Sequence, residues 1–169
     1  MTRALLLLIV FSFLGIVATL ASGLAVASGH LGVRGHVSIA LPTLVLGLAA
    51  QTVSIFYFVG TGVWVKDMVR EHGLDAGFVA RTREFKKNLS AWSLGAALAL
   101  MAAFIVGGGV DAGKVPWPVH AALAVLAFLV TAVTAYRTII IVGMNMDLQL
   151  EVDRCIGQDR AAAPGAPPA

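Results

Sequence analysis

Residues 37–65, VSIALPTLVLGLAAQTVSIFYFVGTGVWV, contain no charged side chain and decide the fold class of this protein. A helix needs about 20 apolar residues to cross a hydrocarbon core roughly 30 Å thick. A spanning segment must also satisfy its own backbone hydrogen bonds, and a helix does so within the segment. The stretch therefore predicts a transmembrane helix.

Three further runs without charge occur at residues 4–28, 88–110 and 115–136. The chain of 169 residues is 59% hydrophobic and only 12% charged, too few charges for a soluble surface. We predict an all-α, integral membrane four-helix bundle with up-down topology, because short connections make consecutive helices antiparallel neighbours. The predicted spans cover residues 4–29, 37–65, 88–110 and 115–142.

The basic residues indicate the orientation of the chain. Of the twelve Lys and Arg residues, only Arg34 and Lys114 fall in the two short connections on one side. By the positive-inside rule the other side is the cytoplasm. We expect a multi-pass protein of the bacterial cytoplasmic (inner) membrane with both termini in the cytoplasm. The net charge of +3 then reports topology, and no nucleic-acid partner is expected.

The segment at residues 66–87 is predicted to form a helical hairpin that projects into the cytoplasm. A helical pattern continues past the second span and stops at Gly73, a suitable C-terminal cap, and Asp75 can cap the following helix. The four-helix domain is expected over residues 1–159. The Ala-, Pro- and Gly-rich tail at 160–169 is expected to be disordered.

Three local signals qualify the predicted helix boundaries. Pro42 blurs the start of the second helix, because the residue before a proline avoids helical geometry. The run Gly107–Gly109 is expected to end the third helix. Residues 1–28 have features of a cleaved signal peptide, but their apolar run exceeds the usual ~7–15 residue signal core, so we expect an uncleaved first helix.

Small and weakly polar side chains indicate which helix faces are buried, since lipid is as apolar as leucine. Such side chains recur at helical spacing on three helices. They are Ser12, Gly15, Thr19, Ser22 and His30 on the first; His36, Thr43, Gly47, Gln51, Ser54 and Phe58 on the second; and His120, Ala127, Thr131, Thr134 and Thr138 on the fourth. Three of the four histidines thus lie at the outer ends of these faces.

A b-type haem is the first candidate for the outer end, with His36 and His120 as ligands. Haem in a helical bundle is held by axial histidines on facing helices. The second and fourth helices are expected on a diagonal, a wider gap than the ~8–10 Å between neighbours. Gly47, Ala124 and Ala127 are expected to leave room for the macrocycle.

Two other interpretations of the histidines stay open. One is a transition-metal site for copper or zinc formed by His30, His36, His120 and Asp111, because imidazole and carboxylate suit these ions. The other is a structural or assembly protein without a cofactor, whose histidines only bond to water or headgroups. In that case the basic hairpin would dock a cytoplasmic partner or anionic lipid.

The sequence contains no phosphate loop, nucleophile elbow or zinc-protease signature. No carboxylate lies within a predicted span, which argues against a proton pump or an ion-coupled carrier. We therefore expect a chain that is not an enzyme by itself. The predicted role is a small subunit or accessory protein of a bacterial membrane complex, with respiratory electron transfer as a candidate process and other membrane subunits as partners.

The segment FYFVGTGVWVK at residues 56–66, followed by GGGVD at 107–111, is similar to a group of uncharacterised small bacterial membrane proteins. This resemblance implies a bacterial source and brings no activity. The four-span plan with histidines at helix ends also resembles the cytochrome b membrane-anchor subunits of respiratory enzymes. That second resemblance concerns architecture alone.

Overall fold

A computed structural model describes residues 2–162, which form four α-helices in sequence. They are α1 (Thr2–Ala27), α2 (Val33–His72), α3 (Gly77–Asp111) and α4 (Trp117–Ala162). Consecutive helices pack against each other, α1 also packs against α4, and α2 meets α4 across the centre of the bundle. The predicted all-α up-down bundle and the diagonal placement of α2 and α4 are confirmed.

Each helix is long and apolar enough, by length and composition, to cross a membrane. Large apolar side chains cover the outside of the bundle, and Leu24, Phe56 and Ile105 are each about two-thirds exposed or more. An apolar surface of this extent is suited to lipid and not to water. The chain is a multi-pass membrane protein with four candidate spans.

Burial confirms the predicted inward faces except at His30, which is exposed. The buried polar side chains include Ser12, Ser22, Thr43, Gln51, Ser54, Thr131, Thr134 and Thr138. A Cβ atom added to Gly15 would lie only 2.9 Å from the Thr43 hydroxyl oxygen, so the absent side chain allows α1 and α2 to approach closely. Small residues at helix interfaces serve this purpose in membrane bundles.

The helices run further than the local signals predicted. Helix α2 begins at Val33 and includes Pro42 in its interior, and α3 continues through Gly107–Gly109 to Asp111. In apolar surroundings a continuous helix satisfies peptide groups that a break would leave without partners. His36 therefore lies in the first turn of α2, and the proline does not leave it in the preceding connection.

The two ends of the bundle differ in their connections. The hairpin end contains the α2–α3 connection at residues 73–76, and the histidine end contains the connections at residues 28–32 and 112–116. At the hairpin end, Gly73 adopts a left-handed conformation (φ 64°) and donates its N–H to the Val69 carbonyl, as predicted for a cap. The Asp75 carboxylate accepts the N–H of Gly77, the first residue of α3, but the N-cap position is Ala76 and not Asp75 as predicted.

Helix α4 reaches Ala162, beyond residue 160 where the disordered tail was predicted to begin. Residues 163–169 of that tail lie outside the described residues. On α4, the Glu151 carboxylate accepts a hydrogen bond of 2.7 Å from the Arg81 guanidinium of α3, so this ion pair links the two helices near the hairpin end.

Candidate functional site

The structure brings together the two histidines that were predicted as haem ligands. His36 lies in the first turn of α2, and His120 lies in the first turn of α4. Their ring centroids are 6.3 Å apart and the ring planes are inclined at 74°. Both side chains are half-buried, so the pair is accessible from the histidine end of the bundle.

The hydrogen bond of His120 indicates which of its two ring nitrogens carries the proton. The ring Nδ1 lies 3.0 Å from the backbone carbonyl oxygen of Ala103 on α3. A carbonyl oxygen only accepts, so Nδ1–H is the donor. In the neutral ring the other nitrogen, Nε2, then carries a free lone pair and is available as a metal ligand.

His36 has the same arrangement, although its partner is a hydroxyl group. Its Nδ1 lies 2.8 Å from Ser22 Oγ, and this hydroxyl also lies 2.8 Å from the Thr19 carbonyl oxygen. The single hydroxyl proton is donated to the carbonyl, so Ser22 accepts the Nδ1–H of His36. The Nε2 atom of His36 is thus also left with a lone pair, and neither Nε2 has a hydrogen-bond partner within residues 2–162.

Glycines next to the rings allow this packing. A Cβ atom at Gly107 would lie 2.9 Å from His120 Cε1, a distance too short for a non-bonded contact. Gly107 is one turn beyond Ala103, so its missing side chain is what lets the ring reach the Ala103 carbonyl. A Cβ atom at Gly23 would lie 3.4 Å from His36 Cε1, an ordinary contact.

The other two predicted ligands lie apart from the pair. His30 is exposed, and its Nδ1 lies 2.9 Å from Ser28 Oγ in its own turn. Asp111 is exposed at the last residue of α3, one turn beyond Gly107. Among the described residues, no group of three or more His, Cys, Asp and Glu side chains is placed to hold a metal ion.

The expected room for a macrocycle beside Gly47 is filled. A Cβ atom at Gly47 would lie 2.9 Å from Leu100 Cδ1, because this leucine occupies the space that the glycine leaves. Leu100 and Ala127 belong to one buried apolar cluster, and Ala124 is half-buried. Any group held by the histidine pair must therefore lie outward of this cluster, at the mouth of the bundle.

A second polar feature, which was not predicted from the sequence, lies at the hairpin end. Asn145 is fully buried, and its side-chain amide donates to the Tyr57 hydroxyl at 3.4 Å. Tyr57 also borders a cavity of about 300 Å³ together with Gly60, Thr61, Trp64 and Gln149. Asn145 lies two turns beyond Thr138, so extending the inward face of α4 would have found it.

Comparison of the chain with models of protein families, with curated proteins and with solved structures finds no match. The chemistry of the site is therefore inferred from the geometry described above. In their neutral forms, two imidazoles with oriented Nδ1–H groups and free Nε2 lone pairs are a ligand pair suited to iron, copper or zinc.

Proposed function

We propose that this chain is a small membrane subunit or accessory protein that binds b-type haem through His36 and His120 at its histidine end. The observation that carries the proposal is the paired arrangement of the two rings. Each ring is fixed by an Nδ1–H hydrogen bond, to Ser22 or Ala103, and each retains a free Nε2. Ligating histidines characteristically donate their other N–H in this way.

The number of protein ligands favours haem over a bare ion. A structural zinc site takes four protein ligands and a catalytic site takes three. Within residues 2–162, the pair has no third His, Cys, Asp or Glu beside it. The haem macrocycle brings four nitrogen ligands of its own, so two axial histidines complete the iron coordination.

The spacing of the rings agrees with this proposal. Metal–imidazole bonds of about 2.0 Å place two ring centroids on opposite sides of one ion roughly 6 Å apart. The observed separation is 6.3 Å. When bound, haem would supply one-electron transfer, and the protein would set its position, axial ligands and exposure.

The proposed membrane and orientation rest on the charge distribution. We propose the bacterial inner membrane, with the basic hairpin end in the cytoplasm, by the positive-inside rule. The sequence of this chain contains no catalytic motif. We therefore propose that it acts in electron transfer together with other membrane subunits of a larger complex.

An absorption spectrum of the full chain tests the proposal. The protein is expressed in haem-replete bacteria, purified in mild detergent, and measured in the oxidised and reduced states. We expect a Soret band, and its near-complete loss in His36→Ala and in His120→Ala. Ser22→Ala should weaken haem binding by about 10–100-fold, since an orienting partner is removed.

His30→Ala and His72→Ala are the matched controls, because neither side chain contacts the pair, and both should retain the pigment. Metal analysis of the same samples distinguishes the alternative. In that case the wild type contains copper or zinc, shows no Soret band, and loses the metal when His36 and His120 are replaced. That result would assign a bare-ion site in place of haem. A wild-type chain that contains neither pigment nor metal would contradict both.

A further inference from the structure

A groove between α2 and α3 near the hairpin end combines positive charge with apolar surface. It encloses about 170 Å³ and is bordered by Phe58, Val59, Gly62, Val63, Lys66, Val79, Thr82, Arg83 and Lys86. None of these residues belongs to the histidine pair, so a ligand in the groove would bind independently of haem.

Three basic side chains line this groove along its length. Lys66 comes from α2, and Arg83 and Lys86 come from α3, where a spacing of three residues places them on one face. Within the described residues, the ion pairs are Arg70–Asp67 and Arg81–Glu151. None of the three groove cations is therefore neutralised by a carboxylate of the described chain.

The rest of the groove is apolar and open toward the lipid-facing surface. Val59 is 41% exposed and Val63 is 54% exposed, while Phe58 forms a buried floor. The Thr82 hydroxyl already donates to the Val79 carbonyl, at 2.9 Å, so its proton is not available to a ligand. The groove thus combines positive charge with hydrocarbon contact.

Gly62 explains why the groove is open. A Cβ atom at this position would lie 3.8 Å from Thr82 Oγ1, in ordinary contact, and a longer side chain would extend into the groove. The site can therefore be blocked by substitution at Gly62 without any change in charge.

We infer that the groove binds one anionic phospholipid, with the phosphate among Lys66, Arg83 and Lys86 and an acyl chain along Phe58, Val59 and Val63. Basic pockets between transmembrane helices bind lipid headgroups in this way. Positive charge near a span also arises from topology alone, but topology requires neither an apolar groove nor cations gathered from two helices around it.

Native mass spectrometry of the full chain in mild detergent tests the inference. The protein is mixed with phosphatidylglycerol, cardiolipin or phosphatidylcholine, and the retained lipid is measured. A basic residue at a membrane surface strengthens attraction to anionic lipid about fivefold, so the triple variant K66Q/R83Q/K86Q should lower retention of anionic lipid roughly one hundredfold. Retention of phosphatidylcholine should be weak in every variant.

The matched control is R70Q/K87Q/R154Q, which removes the same charge from exposed residues outside the groove. It should retain anionic lipid nearly as well as the wild type. Gly62→Leu should lower retention with the charge intact, whereas Gly60→Leu, at a glycine outside the groove with no neighbour within 4 Å, should not.

Three results would overturn the inference. Equal losses in the two triple variants would mean that bulk charge alone attracts the lipid. Retention of phosphatidylcholine equal to that of anionic lipid would mean that the three basic residues do not select anionic lipid. Displacement of the lipid by inorganic phosphate at millimolar concentration would assign the groove to phosphate from solution.

Discussion

At the hairpin end the helices enclose large apolar side chains, and the most completely buried of them are Val65, Leu89, Val142, Leu148 and Val152. At the histidine end the buried apolar cluster is smaller and consists of Ile16, Leu100, Ala103 and Ala127. Contacts there include the His36–Ser22 and His120–Ala103 hydrogen bonds. Both ends have polar contacts between helices, but large side chains fill the space around them at the hairpin end, whereas smaller ones let the two histidine rings reach their partners at the histidine end.

The two ends should therefore respond differently to substitution. In a membrane, packing and hydrogen bonds hold helices together, because lipid gives no hydrophobic drive for association. Loss of volume at the hairpin end removes dispersion contacts and lowers stability. A small change at the histidine end displaces the rings, with a modest effect on stability and a large effect on the site.

The largest expected effect is from Leu89→Ala at the hairpin end. Leu89 is 1% exposed, so truncation leaves a cavity and should lower the free energy of unfolding by about 2–3 kcal/mol. Leu98→Ala on the same helix is the control, because Leu98 is 58% exposed to lipid. Equilibrium unfolding in mixed micelles with sodium dodecyl sulfate measures both. Equal losses would show that burial in this core is not what stabilises the bundle.

A smaller effect is expected from Gly107→Ala at the histidine end. The new Cβ would force the His120 ring away from the Ala103 carbonyl, and a lost hydrogen bond costs about 1 kcal/mol. Gly108→Ala is the matched control, since nothing lies within 4 Å of its Cβ position. Alanine has a higher helix propensity than glycine at both positions. The difference in unfolding free energy between the two variants therefore measures the effect of displacing the His120 ring.

The same pair of variants has a local readout. In ¹⁵N-histidine spectra, the Nδ1–H signal of His120 should shift in Gly107→Ala and stay unchanged in Gly108→Ala. An unchanged signal in both would mean that the ring does not depend on the space at residue 107.

The smallest effect is expected at the Tyr57–Asn145 hydrogen bond. Tyr57→Phe removes the acceptor of the buried Asn145 amide and should cost about 0.6 kcal/mol, the average for such bonds in membrane bundles. The Tyr57 hydroxyl also lies 3.3 Å from the Thr2 hydroxyl. The double variant Tyr57→Phe/Asn145→Leu removes both partners of the Tyr57–Asn145 bond and should recover part of the stability, because the Asn145 amide is no longer buried without an acceptor. A double-mutant cycle in the same unfolding assay gives the coupling, and a value of zero would contradict the bond.

The sequence predicted the spans and the inward faces well for a physical reason. Where the solvent is lipid, small and hydroxyl-bearing residues at helical spacing identify the interface, and Thr131, Thr134 and Thr138 are buried as expected. The meeting of His36 and His120 followed from the same spacing, since each lies at the outer end of a buried face.

Other parts of the site could not be predicted from the sequence. The bond from His120 to the Ala103 carbonyl depends on a ring rotamer and on the space beside Gly107, which only coordinates provide. The extension of α3 through Gly107–Gly109 was underestimated, because glycine breaks helices in water more readily than in lipid. Leu100 fills the space at Gly47 through a contact between helices that the pattern of either helix alone cannot reveal.

Helix α4 has a mechanical consequence. Its 46 residues span about 69 Å, more than twice the thickness of a hydrocarbon core, and its only proline is Pro118 near the start. His120 near one end and Ile156 near the other thus belong to one continuous helix. We expect a tilt of the projecting part to change the position of the His120 ring, because both lie on this helix.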